Sequence, residues 1–185
     1  MSDGSKFAPI AAVNVIAKEA ENPAKVIIGS LDGGPSVEAQ FNPKELEVTR
    51  SVPWSKTNEA NKSNSKQKQT QGIHLEFTGA EGRSLTLELL FDGYEPTGGR
   101  SVDVVQKIKD LETLASVREP GSKKEELKRP HRCVLVWGSV LPRFNCVIES
   151  LATKYTMFSP AGVPLRATCT VKLKEADVVS TAKKK

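Results

Sequence analysis

From residue 25 onward, short runs of alternating apolar and polar side chains dominate the chain, the period of a strand with one buried face. The cleanest run lies near the end. Leu165, Ala167, Cys169, Val171 and Leu173 share one face, and Arg166, Thr168, Thr170, Lys172 and Lys174 share the other. Phe144, Cys146 and Ile148 alternate in the same way with Asn145, Val147 and Glu149, and Leu85, Leu87 and Leu89 with Thr86 and Glu88. Ile73–Phe77 also alternates, and Gly79-Ala80-Glu81-Gly82 separates it from Leu85–Leu89, which predicts a meander with its apolar face inward. Earlier in the chain, Leu46, Val48 and Val52 are expected to point to one side of a strand. Lys25–Leu31 and Val37–Phe41 flank Asp32-Gly33-Gly34-Pro35, the turn chemistry of a hairpin. Phe41-Asn42-Pro43 ends that unit, because proline cannot donate to a ladder. His131–Val140 is continuously apolar enough for a central strand, and Ser159-Pro160-Ala161-Gly162 reads as a turn between two strands.

One helix interrupts this pattern. Over Ser101–Val117, apolar residues Val102, Val105, Ile108, Leu111 and Leu114 recur at three-residue steps, with Ser101 placed as the cap and Pro120-Gly121 as the stop. Residues 55–72 hold no apolar side chain larger than Ala60, so they cannot feed a core and are expected as an exposed loop or a two-sided polar hairpin. Residues 1–23 read as an arm with a short helical stretch at Ala11–Ala20, and 176–185 as a polar tail. The domain between them, 24–175, is expected to be mainly β (α+β). About eight strands should form an antiparallel barrel or sandwich with one flanking helix over an opening. Leu87, Leu89, Trp137, Ile148, Cys169 and Val171 are its expected core positions.

Composition changes this picture little. Aromatics are only 5% of the chain, so the core rests on Val, Leu and Ile. There is no apolar run long enough to span a membrane and no secretory leader pattern. The three cysteines, Cys133, Cys146 and Cys169, have no close spacing and sit in strand patterns, the signature of buried free thiols in a reducing compartment. The net charge of +5 raises the question of nucleic acid, but the basic residues are dispersed and only Lys183–Lys185 run together. The two histidines, His74 and His131, stand apart, and no His/Cys spacing suits a metal. No nucleophile elbow or phosphate loop is present. Glu88, Asp92 and Glu95 are better read as outward strand and turn positions than as catalytic carboxylates. The expectation is a non-enzyme without cofactor or metal, whose partners are other proteins. A basic nucleic-acid-binding β-barrel is the alternative from a different class. Trp137 is placed in the core, and Trp54 either at the core edge or at an interface.

Several pieces in fixed order carry a resemblance. Phe41-Asn42-Pro43 precedes a strand and the long polar segment. Next come Leu85–Asp92, a helix from Val102, and Pro130 leading to Val134-Leu135-Val136-Trp137-Gly138. Tyr155-Thr156-Met157-Phe158 and Gly162–Ala167 close the series. Over roughly residues 24–175 this order resembles the tube-type domain of contractile injection systems, most of all the spike–tube adaptor of phage-tail-like particles. The resemblance implies a tail-tube-like barrel and a hexameric ring joining the central spike and baseplate hub to the inner tube. It also implies assembly in the bacterial cytoplasm into a particle that can be released. Many such adaptors carry a LysM module, which this chain, stopping at Lys185, lacks. The adaptor itself, a truncated form of it, and another inner-tube ring therefore all remain open. On either ring reading the interface residues are expected at Phe41 and Asn42, at Trp54 and Lys56, and along the polar segment at Lys62, Lys66, Lys68 and Gln69.

Overall fold

In the computed structural model, residues 24–56, 75–79, 81–95 and 101–177 are described. Nine strands and one α-helix lie among them in chain order: β1 (Ile27–Ser30), β2 (Ser36–Glu38), β3 (Leu46–Thr49), β4 (Trp54–Lys56), β5 (Leu75–Phe77), β6 (Ser84–Asp92), α1 (Val104–Ala115), β7 (Cys133–Trp137), β8 (Leu141–Phe158) and β9 (Pro164–Glu175). Seven strands form one antiparallel sheet in the order β2-β1-β7-β8-β9-β6-β3, and β4 and β5 pair separately. The seven-stranded sheet curls into a half-barrel, with α1 packed on its concave side against β8 and β9. The expected class, mainly β with one flanking helix, is the class observed.

The alternating runs explain the core directly. On β6, Leu85, Leu87, Leu89 and Phe91 are buried. On β9, Ala167, Cys169, Val171 and Leu173 are buried, and on β8, Phe144, Cys146 and Ile148. These faces close over the apolar stripe of α1, whose buried residues are Val104, Ile108, Leu111 and Leu114. That stripe corrects the expected one. The helix starts later than Ser101, so Val104 rather than Val102 or Val105 opens the buried face. Asp103 is the cap, its carboxylate accepting from the backbone N–H of Gln106 at 3.0 Å. Ser101 instead donates its hydroxyl to the Gly93 carbonyl, 3.0 Å away. Gly93 itself cannot carry a Cβ, which would lie 2.6 Å from the Val102 carbonyl oxygen.

Trp137 is only partly buried, packing on the edge of the core, because β7 ends there and Gly138–Val140 turn into β8. The expected strand over His131–Val140 is thus shorter, Cys133–Trp137, although its central position holds: β1 lies on one side and β8 on the other. Cys133 and Cys146 face each other across β7 and β8 as free thiols. Burial first, then the nearby Asp32 charge, pushes the Cys133 thiol up to about 12. Cys146 is raised as well, again chiefly by burial.

The β1–β2 hairpin is pinned from below by a buried carboxylate. Asp32, in its turn, accepts from Arg129 Nη1 at 2.8 Å, from the Arg132 backbone N–H at 2.8 Å and from Arg132 Nε at 3.0 Å. Arg118 Nη2 donates to the Asp32 carbonyl at 3.1 Å. Burial alone would raise the Asp32 carboxyl, but these hydrogen bonds outweigh it and hold it well below the usual carboxylate range. Beside it, His131 is buried and its Nδ1 is 2.8 Å from the Ser30 hydroxyl. The imidazole packs so closely on Gly34 that a Cβ there would come within 2.5 Å of Cε1.

Candidate subunit interface

One expectation about the β3–β6 region is overturned, and the correction defines an exposed apolar surface of the fold. Ile73–Phe77 does not extend the meander as a neighbour of β6. Its described part, β5, pairs with β4 in the register Trp54↔Phe77, Ser55↔Glu76 and Lys56↔Leu75. Leu46 and Val48 share one side of β3 as expected, opposite Leu87 and Leu85, but only Leu46 packs on the core's rim, whereas Val48 and Val52 are 51% and 43% exposed. The physical reason is continuity of the hairpin. The β3–β6 ladder reaches Thr49↔Ser84 at its end. Beyond it, Glu81 N–H donates to the Ser51 carbonyl at 3.2 Å and Thr78 N–H to the Pro53 carbonyl at 3.3 Å. The β4–β5 pairs follow. β4 and β5 thus continue the β3–β6 pair as one irregular ribbon whose outer part leaves the sheet and outruns the core, so alternation there has no buried side to serve.

On that ribbon Trp54 and Phe77 pair directly, their ring centroids 5.5 Å apart, and the period of two puts Leu75 on the same face. Trp54 is 57% exposed and Phe77 52%. Of the two positions open for Trp54, the core edge is therefore excluded. A face of this kind is normally covered by something. Sequence alternation correctly found these residues apolar but could not tell that the core stops short of them.

The other interface positions named from sequence fall in different places. Lys56 lies in β4, opposite Leu75. Phe41 is exposed. Asn42 has a job within its own subunit: its side-chain oxygen accepts from Val26 N–H at 3.1 Å, and its amide donates to the Ala24 carbonyl at 3.0 Å. Lys62, Lys66, Lys68 and Gln69 lie outside the described residues, as do His74, the arm 1–23 and most of the tail. The first tail residue, Ala176, donates its N–H to the Asn145 carbonyl at 3.1 Å.

Sequence reasoning missed a second feature, the length of β8. It runs 18 residues, but its ladder with β7 ends at Cys146. From Val147 to Phe158 it has β9 on one side and, among the described residues, no strand on the other. Register shifts after Ile148 and Tyr155 bend this free edge. Tyr155 and Phe158, with ring centroids 6.3 Å apart, are exposed near its tip. With β2 and β3 at the sheet's ends, the half-barrel presents, among the described residues, three stretches of unpaired backbone, each able to accept a strand from another chain.

No cluster of His, Cys, Asp or Glu among the described residues is arranged to hold a metal, and no described helix is long and apolar enough to cross a membrane. Open strand edges, an uncovered aromatic face and a half-closed barrel are what a subunit completed by its neighbours requires. Residues 18–184 match the family of contractile injection system tube proteins, and the chain belongs to that family. No curated protein matches it. Membership carries a structural role and assembly with other subunits of an injection system.

Proposed function

We propose that this chain forms a hexameric ring at the junction between the spike-bearing baseplate hub and the inner tube, and that its role is structural rather than catalytic. Support comes chiefly from the ribbon β3–β4–β5–β6, which carries Trp54, Leu75 and Phe77 beyond the reach of its own core. A monomer gains nothing from that surface, whereas a stacked ring covers it. Edge pairing within the ring would use the Val147–Phe158 stretch of β8 and the outer edge of β3, a head-to-tail contact that closes by rotation. The order of motifs along the chain favours the junction over a repeating tube ring.

Intact particles carrying an affinity-tagged chain test this reading. Electron microscopy with tag-directed gold should place label once per particle, at the spike end of the tube. Label repeating along the tube's length would make the chain a tube ring instead, and particles without label would refute both.

A further inference from the structure

The geometry points to a docking site for the basic segment 57–74 of a neighbouring copy: an acidic groove on the outer face of β3, β6 and β9. This inference rests on the ring reading above. The groove has a volume of about 550 Å³ and lies where residues 41–45 cross the sheet before β3. Phe41 and Leu90 supply an apolar lining, both partly in solvent. Glu45, Glu47 and Glu88 stand around it against Lys44 alone. None of these three carboxylates is ion-paired among the described residues. An acidic concavity on a chain of net charge +5 calls for a basic occupant.

The chain carries such an occupant. Residues 57–74 hold Lys62, Lys66 and Lys68 against Glu59, with Lys56 just before them, and their other side chains are mostly small or polar. The topology sets where this segment leaves the molecule. The ribbon starts in the groove, at Glu47 opposite Thr86, and runs out of the sheet to Lys56 opposite Leu75. At a strand's rise, the nine steps from Glu47 to Lys56 cover up to roughly 30 Å. The basic segment is therefore delivered at the end of the ribbon away from the groove. To fill its own groove it would have to double back along its own ribbon. To fill the groove of the next copy around the ring it only has to continue. Acidic receptor and basic extension at opposite ends of one ribbon make a head-to-tail contact, which repeats without self-complementarity. The apolar lining then takes the stem of a lysine while its ammonium meets the glutamates.

Zero-length carbodiimide coupling of the full-length chain tests the contact, because it joins a lysine to a glutamate only when they touch. In intact particles, the covalent dimer band should yield peptides in which Lys62, Lys66 or Lys68 is joined to Glu45, Glu47 or Glu88. Coupling should weaken as salt is raised. The variant E45K/E47K/E88K should lose it by about tenfold or more, and adding K62E/K66E/K68E to the same chain should restore it with the roles of the residues exchanged. Circular dichroism of both variants should match the parent, since every substituted groove residue faces outward. The same joined peptides found only in the monomer band would mean that the segment binds its own groove, and the proposal fails. Couplings that map elsewhere, or none at all, overturn it as well. If particles lack the chain, the ring reading has failed by itself. The concentrated chain in solution then decides for or against the groove, by the same dimer-band criterion.

Discussion

At the scale of single residues, three buried polar groups make the fold sensitive to acid. Asp32 gathers Arg129, Arg132 and Arg118 under the β1–β2 turn. Removing its carboxylate strands the cations, which typically costs 3–5 kcal/mol for a buried pair; Arg132 stays partly in water, so Asp32→Ala should cost about 3 kcal/mol, measurable by urea unfolding. Gly34→Ala should destabilise by about 1–3 kcal/mol, because His131 is held by Ser30 and cannot retreat from a new Cβ; an unchanged midpoint would show the ring is free to move. The pH dependence has two limbs of the same sign. His131 is depressed by burial first and then by the Arg118 charge, so it stays neutral in the folded chain while the unfolded chain takes up a proton below about pH 6.5. That contribution is complete above about 6.5 and is lost as pH falls toward the folded value. Asp32 is also depressed, and so is Asp92: burial would raise its carboxyl, but its hydrogen bond from Arg166 prevails. Their contribution is complete above about pH 4 and is lost below it. Thermal midpoints should therefore start to fall near pH 6.5 and fall again below 4. A midpoint flat from pH 7.5 to 5 contradicts the His131 assignment, and His131→Gln should flatten that first limb.

At the scale of elements, sequence pattern succeeded where a strand has a core beneath it and failed where it does not. β6, β9 and the first part of β8 are legible because each alternates against a buried face, and Leu89→Ala should accordingly cost about 2–5 kcal/mol in the same unfolding measurement. The helix was legible as an element, but its first turn was not. Val102, Val104 and Val105 all fit a stripe within one residue, and only the Asp103 cap decides among them. The ribbon was misread because alternation reports two-sidedness and says nothing of which side is buried. Val48, Trp54, Leu75 and Phe77 alternate like core residues, yet the half-barrel ends before reaching most of them. Partner choice by β5 was equally hidden, since Gly79–Gly82 suits a turn to β6 and does not exclude an irregular passage with β4 opposite. The same distinction yields a prediction. Trp54→Ser with Phe77→Ser should leave the urea midpoint of the isolated chain within about 0.5 kcal/mol, as substitutions away from core features do, while lowering incorporation into particles as scored by immunoblot. A large loss of stability would instead place the pair in the core's service.

At the scale of the whole molecule, the fold separates a self-sufficient part from parts that serve assembly. The half-barrel with α1 carries the buried residues, and its Asp32 cluster and the Arg83–Glu175 pair tie distant segments together. The outer part of the ribbon, β4 and β5, adds almost nothing to that core: it is one short two-stranded ladder with its apolar face exposed. A two-stranded ladder alone is marginal in water. The chain nevertheless makes a long excursion there, 57–74, whose ordering costs on the order of 1–2 kcal/mol per residue if a partner fixes it. Contacts with a neighbouring subunit would offset such a cost. Replacing residues 58–70 by a short Gly-Ser turn should therefore uncouple folding from assembly. The shortened chain should unfold at the parent's denaturant midpoint, because the removed segment holds no apolar side chain larger than Ala60 and the β4–β5 register at Trp54↔Phe77 can still close. Shorter loops lose less entropy on closure, so any change should be slightly stabilising, well under about 1 kcal/mol. In cells that build the particle, the same variant should give spikes or tubes that fail to join, visible by electron microscopy as tubeless baseplates or capless tubes. Full-length particles containing the folded, shortened chain would show that the excursion has no part in stacking, and that the strand edges alone hold the ring in place.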